Sequence, residues 1–355
     1  MVRGMSEVSP KQYLALAKQL ECGGLPELSQ HLTAFQSNDV AAGSVAASMR
    51  AKLLHQKGDY EDAKQAFEFV RATVEVESVC AEFHSYLFPQ RALSDYSPEA
   101  HAKYPDGTDY TRIESFALSL LAEYESTSIE EAARSIEVAS AQYESKWKEI
   151  VPDEDSVTPA QLGEFYSSLS IATGGLPVEF AQVSMATYIR AQALRVAQSL
   201  NATSLYDFGG GIGVVPSAAA SVGLSQPVLI EESQKLTDFG VWRNERLGIK
   251  GVTLCSPQKA TELAGSFDYG VCTEVLEHVW DVEGTVQLLY DLLKPGGILF
   301  MTASFGLYPF ASHLKKNVVY AGHESELMQK FGFQSVNATG LPSIIPLPLY
   351  RKPTD

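Results

Sequence analysis

Asp207 stands just ahead of a run of glycines, Gly209, Gly210, Gly211 and Gly213, in the stretch SLYDFGGGIG at 204–213. Glycine lets the backbone take positive φ and come close to a ligand, and a helix that starts beyond such a loop offers unpaired N–H groups. The combination suits a nucleotide-like ligand. A second chemically promising stretch is 305–323, FGLYPFASHLKKNVVYAGH, which sets His313, His323, Lys315 and Lys316 among Phe305, Tyr308, Phe310 and Tyr320. It is long for a plain connection, and loops of this length in compact domains are usually functional or disordered. It is expected to form much of a substrate wall, with an apolar face and cationic handles.

The elements around these residues alternate. Strand patterns at 204–208, 227–231, 251–255, 267–272 and 297–302 are separated by helical ones, and a helix at 324–330 precedes two further strands at 332–337 and 343–350. Such alternation predicts an α/β fold, a doubly wound, mostly parallel, Rossmann-like sheet of seven strands whose last two are antiparallel. Ligands bind such sheets at the carboxyl ends of the strands, beside the switch point, where the glycine loop lies. A dinucleotide fingerprint would need a third glycine where Val214 stands, which weakens a dehydrogenase reading. The frame that fits is D-x-G-x-G-x-G, formed by Asp207, Gly209, Gly211 and Gly213.

That frame resembles the first motif of the class I S-adenosylmethionine-dependent methyltransferases. The stretch FDYGVCTEVLEH at 267–278 resembles the family's fourth strand and following turn, and LLKPGGILF at 292–300 its fifth strand entry. The three motifs fall in the family's order. The resemblance implies S-adenosyl-L-methionine as cofactor, with the backbone of Gly209, Gly210, Gly211 and Gly213 near its methionine moiety and Asp207 near the ammonium. It implies Glu231, with Glu232 as the fallback in register, on the ribose hydroxyls. Where many relatives hold adenine with an Asp, this chain has Cys255, Ser256 and Pro257, so Ser256, backbone groups or apolar contact are expected there. Thr273 and Glu274 are expected beside the sulfonium. His278, from the pair Glu277-His278, is the best-placed candidate base because imidazole titrates near neutral pH. Glu274, His313 and Tyr166 complete the catalytic candidates.

The preceding part reads as helical: 1–150 a large all-helical N-terminal domain, 151–203 a helical linker or lid, and 204–355 the catalytic domain. The stretch VPDEDSVTP at 151–159 is the expected boundary. Helices are expected across 9–20, 26–35, 39–56, 59–67, 111–124 and 128–150, with 84–110 irregular. Gly58, Tyr60, Ala63 and Phe67 resemble half of a tetratricopeptide unit, without a convincing second copy. Phe165, Tyr166, Phe180 and Tyr188 in the lead-in either cover a ligand or pack against the sheet domain. An extra helical domain of this kind pairs subunits, giving a homodimer, or caps the pocket.

Composition excludes several classes. The formal net charge is −16, with 16 Lys and Arg against 28 Asp and Glu in residues 1–200 and 11 against 15 in 201–355. Nucleic-acid binders need a dense basic surface, which neither part has, so a small-molecule acceptor is expected. Cys22, Cys80, Cys255 and Cys272 are scattered without a CxxC spacing, and no metal-ligand cluster is evident from spacing. The lack of a long apolar run and of a signal-like start makes a cytoplasmic, membrane-free protein the expectation. The reaction expected is in-line methyl transfer. Transfer or cyclisation of the cofactor's aminocarboxypropyl group, with methylthioadenosine released, is the alternative, followed by a helical scaffold with a vestigial cofactor site.

Overall fold

A computed structural model of the protein describes residues 76–88, 100–102, 111–113, 115–173, 185–306, 308, 312–336 and 347–354. The helices expected in 9–67, the tetratricopeptide-like stretch near 40–75, Cys22, Phe180 and Phe310 lie outside the described residues. The chain divides into two compact units, Met1–Val76 with Gly340–Leu347, and Glu77–Thr339 with Pro348–Asp355. The second contains every element discussed below.

Seven strands form one sheet: β1 (Ser204–Phe208), β2 (Gln226–Ile230), β3 (Thr253–Cys255), β4 (Phe267–Thr273), β5 (Leu293–Thr302), β6 (Gln334–Val336) and β7 (Leu349–Arg351). Their spatial order is β3-β2-β1-β4-β5-β7-β6. The first five run parallel, while β7 pairs antiparallel with both β5 and β6, as the sequence pattern predicts. The order reverses between β1 and β4, which sets a crevice at their carboxyl ends. All five residues of β1 are buried, as a central parallel strand covered on both faces requires. Tyr206 on β1 lies over Gly270, its neighbour on β4, and donates its hydroxyl to the Leu289 carbonyl at 2.9 Å. A Cβ on residue 270 would meet the tyrosine Cζ at 2.3 Å, so only glycine admits this ring.

Helices cover the sheet. In the first part of the unit lie α1 (Val76–Leu87), α2 (Ser115–Glu125), α3 (Ile129–Glu137), α4 (Ala139–Ile150) and α5 (Pro159–Ser168). From there on come α6 (Met185–Ser199), α7 (Val214–Ser221), α8 (Gln234–Leu247), α9 (Val282–Leu292) and α10 (Glu324–Lys330). The Tyr269 hydroxyl on β4 bonds the Ala193 carbonyl of α6 at 2.9 Å, and Arg195 of α6 meets Glu82 of α1 at 2.6 Å. No helix among the described residues is long and apolar enough to cross a membrane.

Three expectations change. The N-terminal half is not wholly helical: Ala100–Ala102 and Thr111–Ile113 form an antiparallel ladder, so the helix expected from 111 begins at Ser115. The single helix expected over 128–150 is two, α3 and α4, which meet at Val138, whose N–H reaches the carbonyls of Arg134 and Ile136. The expected boundary at 151–159 lies within the second unit, and although most of its residues are exposed its two valines are packed. Val151 and Val157 are buried with Trp147, Leu162, Phe165, Leu169 and Leu314. A capping box between Thr158 and Gln161, with Pro159 in the first turn, starts α5 directly from this stretch. Asp153 and Asp155 are exposed, while Glu154 accepts from Trp147 Nε1 at 2.8 Å and from the Tyr308 hydroxyl at 2.7 Å.

Candidate active site

The glycine loop connects β1 to α7 at the crevice. Gly209, Gly211 and Gly213 have φ of 67°, 55° and 76°, the left-handed region that side chains disfavour. Gly209 donates to the Ile230 carbonyl at 2.8 Å, which fastens the loop to the end of β2. Asp207 is buried, and a Cβ at Gly210 would meet its Oδ2 at 2.3 Å, so the bare glycine makes room for the carboxylate. Beneath the loop, the fully buried Arg243 of α8 donates to the Gly213 carbonyl at 3.3 Å and to Ser217 Oγ at 2.6 Å. The sequence reading missed this arginine, because a lone Arg in an amphipathic helix reads as a surface residue.

Glu231 follows β2. Its Oε2 accepts from the Gly211 N–H at 3.0 Å, and its Oε1 from the N–H groups of Glu232 and Ser233 at 2.9 and 2.8 Å. Burial pushes this carboxyl above its ordinary pKa, against the pull of the three N–H donors. Glu232 is exposed, so the register favours Glu231 for a ligand. Ser256 is half-buried at the end of β3, next to Cys255, whose carbonyl accepts the Glu231 N–H at 3.2 Å.

A second cluster sits where β4 and β5 end. Thr273 is buried opposite Thr302. Glu274 holds φ at 56°, donates its N–H to the Thr302 carbonyl at 2.9 Å, and accepts a short hydrogen bond from Ser304 Oγ. Glu277, 1% exposed, accepts the Ser304 N–H at 2.9 Å through Oε1. Burial, then the charge of Glu274, pushes its carboxyl well above the ordinary range. His278 Nδ1 lies 3.1 Å from the Ser312 carbonyl and 2.9 Å from its hydroxyl. The ring meets His313 edge to face with centroids 4.6 Å apart. Burial lowers the pKa of both imidazoles, that of His313 to about 3, and His278 adds to the His313 shift. Both shifts favour the neutral ring.

The lead-in helices cover this cluster. The Tyr143 hydroxyl is 2.5 Å from Ser312 Oγ, and burial raises its pKa to about 12. Tyr166 is pushed well above its usual value by burial first, and lies within electrostatic reach of Tyr143, Glu277 and Glu231. Phe165 is buried against Tyr143 and Trp147, and Tyr188 is core, bonded by Gln192 at 2.6 Å. The segment 305–323 contributes His313 and Leu314, but its lysines are engaged elsewhere: Lys315 with Asp155, and Lys316 over the Trp280 ring at 3.3 Å. Tyr143 and Ser304 went unselected in the sequence reading, which named Glu277 only as the neighbour of His278 and Ser312 only within the 305–323 stretch. Ser312 and Tyr143 are 169 positions apart, and no local pattern announces their contact.

The residues fit S-adenosylmethionine: a loop that is glycine at every position but Ile212, a buried acid at the end of β1, and after β2 an acid with acceptor capacity beyond its three N–H bonds. Residues 181–341 match a family described as a methyltransferase domain. A ubiquinone biosynthesis O-methyltransferase of Bordetella avium (strain 197N) is 30% identical over 151 residues, 41% of this chain and 61% of that protein. The mitochondrial ubiquinone biosynthesis O-methyltransferase of Mus musculus is 33% identical over 128 residues, 32% of this chain and 34% of its own. The chain thus spans between 34% and 61% of the length of these two curated relatives. A solved S-adenosylmethionine-dependent methyltransferase from Mesorhizobium loti aligns with a TM-score of 0.35 at 17% identity, covering 46% of this chain and 98% of that one. Motifs and strand order agree with the family match, and that part of the chain, residues 181–341, is a methyltransferase domain.

Proposed function

We propose that the chain methylates a small-molecule acceptor by in-line displacement. The observation that carries this reading is the convergence of Asp207, the glycine loop and Glu231 at the ends of β1 and β2. The cofactor, when bound, supplies a methyl group on a positively charged sulfur. Glu231 receives the ribose hydroxyls and Asp207 the ammonium, and charge-assisted bonds of this kind are about twice as strong as neutral ones. Ser256 borders the adenine side, and Thr273 and Glu274 border the sulfonium, where the carboxylate favours positive charge.

The relatives named O-methyltransferases support a hydroxyl oxygen as the acceptor atom. An Nδ1–H on His278 directed at the Ser312 carbonyl leaves Nε2 as a neutral acceptor, and burial keeps that ring unprotonated at neutral pH. Tyr143 and Tyr166, with raised pKa values, stay protonated and donate hydrogen bonds to the acceptor molecule. Alignment at near-attack distance in a covered chamber supplies most of the acceleration. The acidic charge supports a small molecule over nucleic acid.

The test is calorimetry with S-adenosylmethionine, followed by product identification with hydroxylated acceptors. S-adenosylhomocysteine together with a methyl ether supports the reading. Release of methylthioadenosine would replace it with aminocarboxypropyl chemistry, and absence of cofactor binding would end both.

A further inference from the structure

The loop at 209–213 has a single side chain, Ile212, so its left-handed turns are held by neighbouring elements rather than by groups of its own. At Gly211 the neighbour is Glu231, and at Gly213 it is α8. Gly240, Arg243 and Asn244 share one face of that helix, three and four positions apart, and all three are buried. A Cβ on residue 240 would meet the Ile212 carbonyl oxygen at 2.6 Å, so the bare glycine lets α8 lie directly against the loop backbone.

The bonds from that face run in one direction. Arg243 Nη2 lies 2.6 Å from Ser217 Oγ, 3.0 Å from Asn244 Oδ1 and 3.3 Å from the Gly213 carbonyl. This nitrogen carries two hydrogens, and the two shorter contacts take them. Ser217 Oγ has one hydrogen to give, and of its two acceptors the Gly213 carbonyl at 2.6 Å is nearer than Asn244 Oδ1 at 2.9 Å. A hydroxyl that accepts from a charged donor is polarised and donates more strongly in turn. The guanidinium therefore reaches the loop chiefly through Ser217. The same carbonyl takes the Ser217 N–H at 3.1 Å as the first bond of α7, so the loop and the helix start are fastened together. Arg243 and Ser217 are both fully buried. A buried guanidinium is costly to desolvate, and an apolar residue of similar volume would pack α8 without that cost. What the guanidinium adds is directed donation.

We propose that Arg243 and Ser217 are positioning residues for the cofactor. They hold the Gly213 carbonyl, and with it the left-handed turns at Gly211 and Gly213, in the ligand-ready form before S-adenosylmethionine arrives. Without them the loop must be ordered by the cofactor itself, and that ordering is subtracted from the affinity. The proposal rests on the cofactor reading of this site and adds to it two residues that lie outside the glycine and acid motifs.

Calorimetry with S-adenosylmethionine on the full chain tests this, with the fold of each variant checked by circular dichroism. Ser217→Ala and Arg243→Met should each raise the cofactor Kd by about 10-fold. Arg243→Lys, which keeps a charged donor, should recover part of that loss. Because the guanidinium acts through the hydroxyl, Ser217→Ala made on top of Arg243→Met should add less than about twofold. Amide exchange at 209–213 in the cofactor-free chain should quicken in both single variants while β4 keeps its wild-type rate, a pattern that general destabilisation does not give. Where Arg243→Met does not fold, Arg243→Lys takes its place in the double-variant comparison. A Kd for Ser217→Ala equal to that of the wild type overturns the proposal, as do additive losses or exchange that quickens equally in the loop and β4. No cofactor binding by the wild-type chain overturns the methyltransferase reading and this proposal together. The expected shifts in Kd without any methylated product would uphold the positioning roles and count against methyl transfer alone.

Discussion

At Glu231, three backbone N–H groups already converge on the carboxylate, so the acid is held in place before a ligand arrives. Preorganisation of this kind lowers the ordering cost of binding. The variant Glu231→Gln keeps the size but cannot accept at its nitrogen, and one of the loop N–H groups then faces an amide donor. Cofactor Kd is expected to rise roughly 10- to 100-fold, in line with the 1.5–3 kcal/mol of a hydrogen bond to a charged group. Isothermal calorimetry measures it, and an unchanged Kd would remove Glu231 from the site. Glu232, exposed beside it, serves as the control whose substitution should leave Kd alone.

At the scale of elements, the cover over the second cluster hangs on a few contacts. Leu314 is buried with Trp147, Phe165 and Leu169, and its N–H bonds the Glu277 carbonyl at 3.0 Å. Truncating a core leucine costs about 2–5 kcal/mol. The variant Leu314→Ala should destabilise the unit by an amount in that range in denaturant titration. It should also speed amide exchange in α5 more than in β1, and equal exchange in both would show that this cover is not a separate layer of stability. The parallel part of the sheet was legible in the sequence because apolar runs such as those of β1, β2 and β4 end at a glycine or an acid, and because parallel order follows from alternation. Glu231 and the glycines were legible for the same reason, since their positions are set by one strand and one turn. Ser312, Tyr143 and the joining of Glu277 with His313 were not. Those contacts link residues far apart in sequence, and the burial of Val151 and Val157 was masked by the polar, twice-prolined stretch around them.

Across the whole molecule, the sheet has a chemical end and an anchoring end. At the amino end of β4, opposite the crevice, Asp268 accepts from the N–H groups of Thr203 and Ser204 at 3.1 Å each and pairs with Lys294 of β5 at 2.7 Å. Burial alone would raise its pKa, but these donors outweigh it and hold the carboxyl far below the ordinary range. A carboxyl with a depressed folded-state pKa stabilises the fold above its unfolded value of about 3.9, and that contribution is lost as pH falls through the folded value. Asp268→Asn should therefore lower the melting temperature at pH 7 and matter progressively less below about pH 4. A constant difference across that range would show that the carboxylate's charge plays no part. Because the anchor is remote from the glycine loop, cofactor affinity at pH 7 should be unaffected.

The clamp formed by Glu154, between Trp147 of α4 and Tyr308 of the segment after β5, also bears on how this protein is divisible. A fragment beginning at β1 would carry every cofactor motif, yet it would leave Leu314 without its apolar neighbours and Ser312 without Tyr143. On the proposed reading, the donor half of the site is portable between contexts, whereas the acceptor half travels only with the helices that precede it.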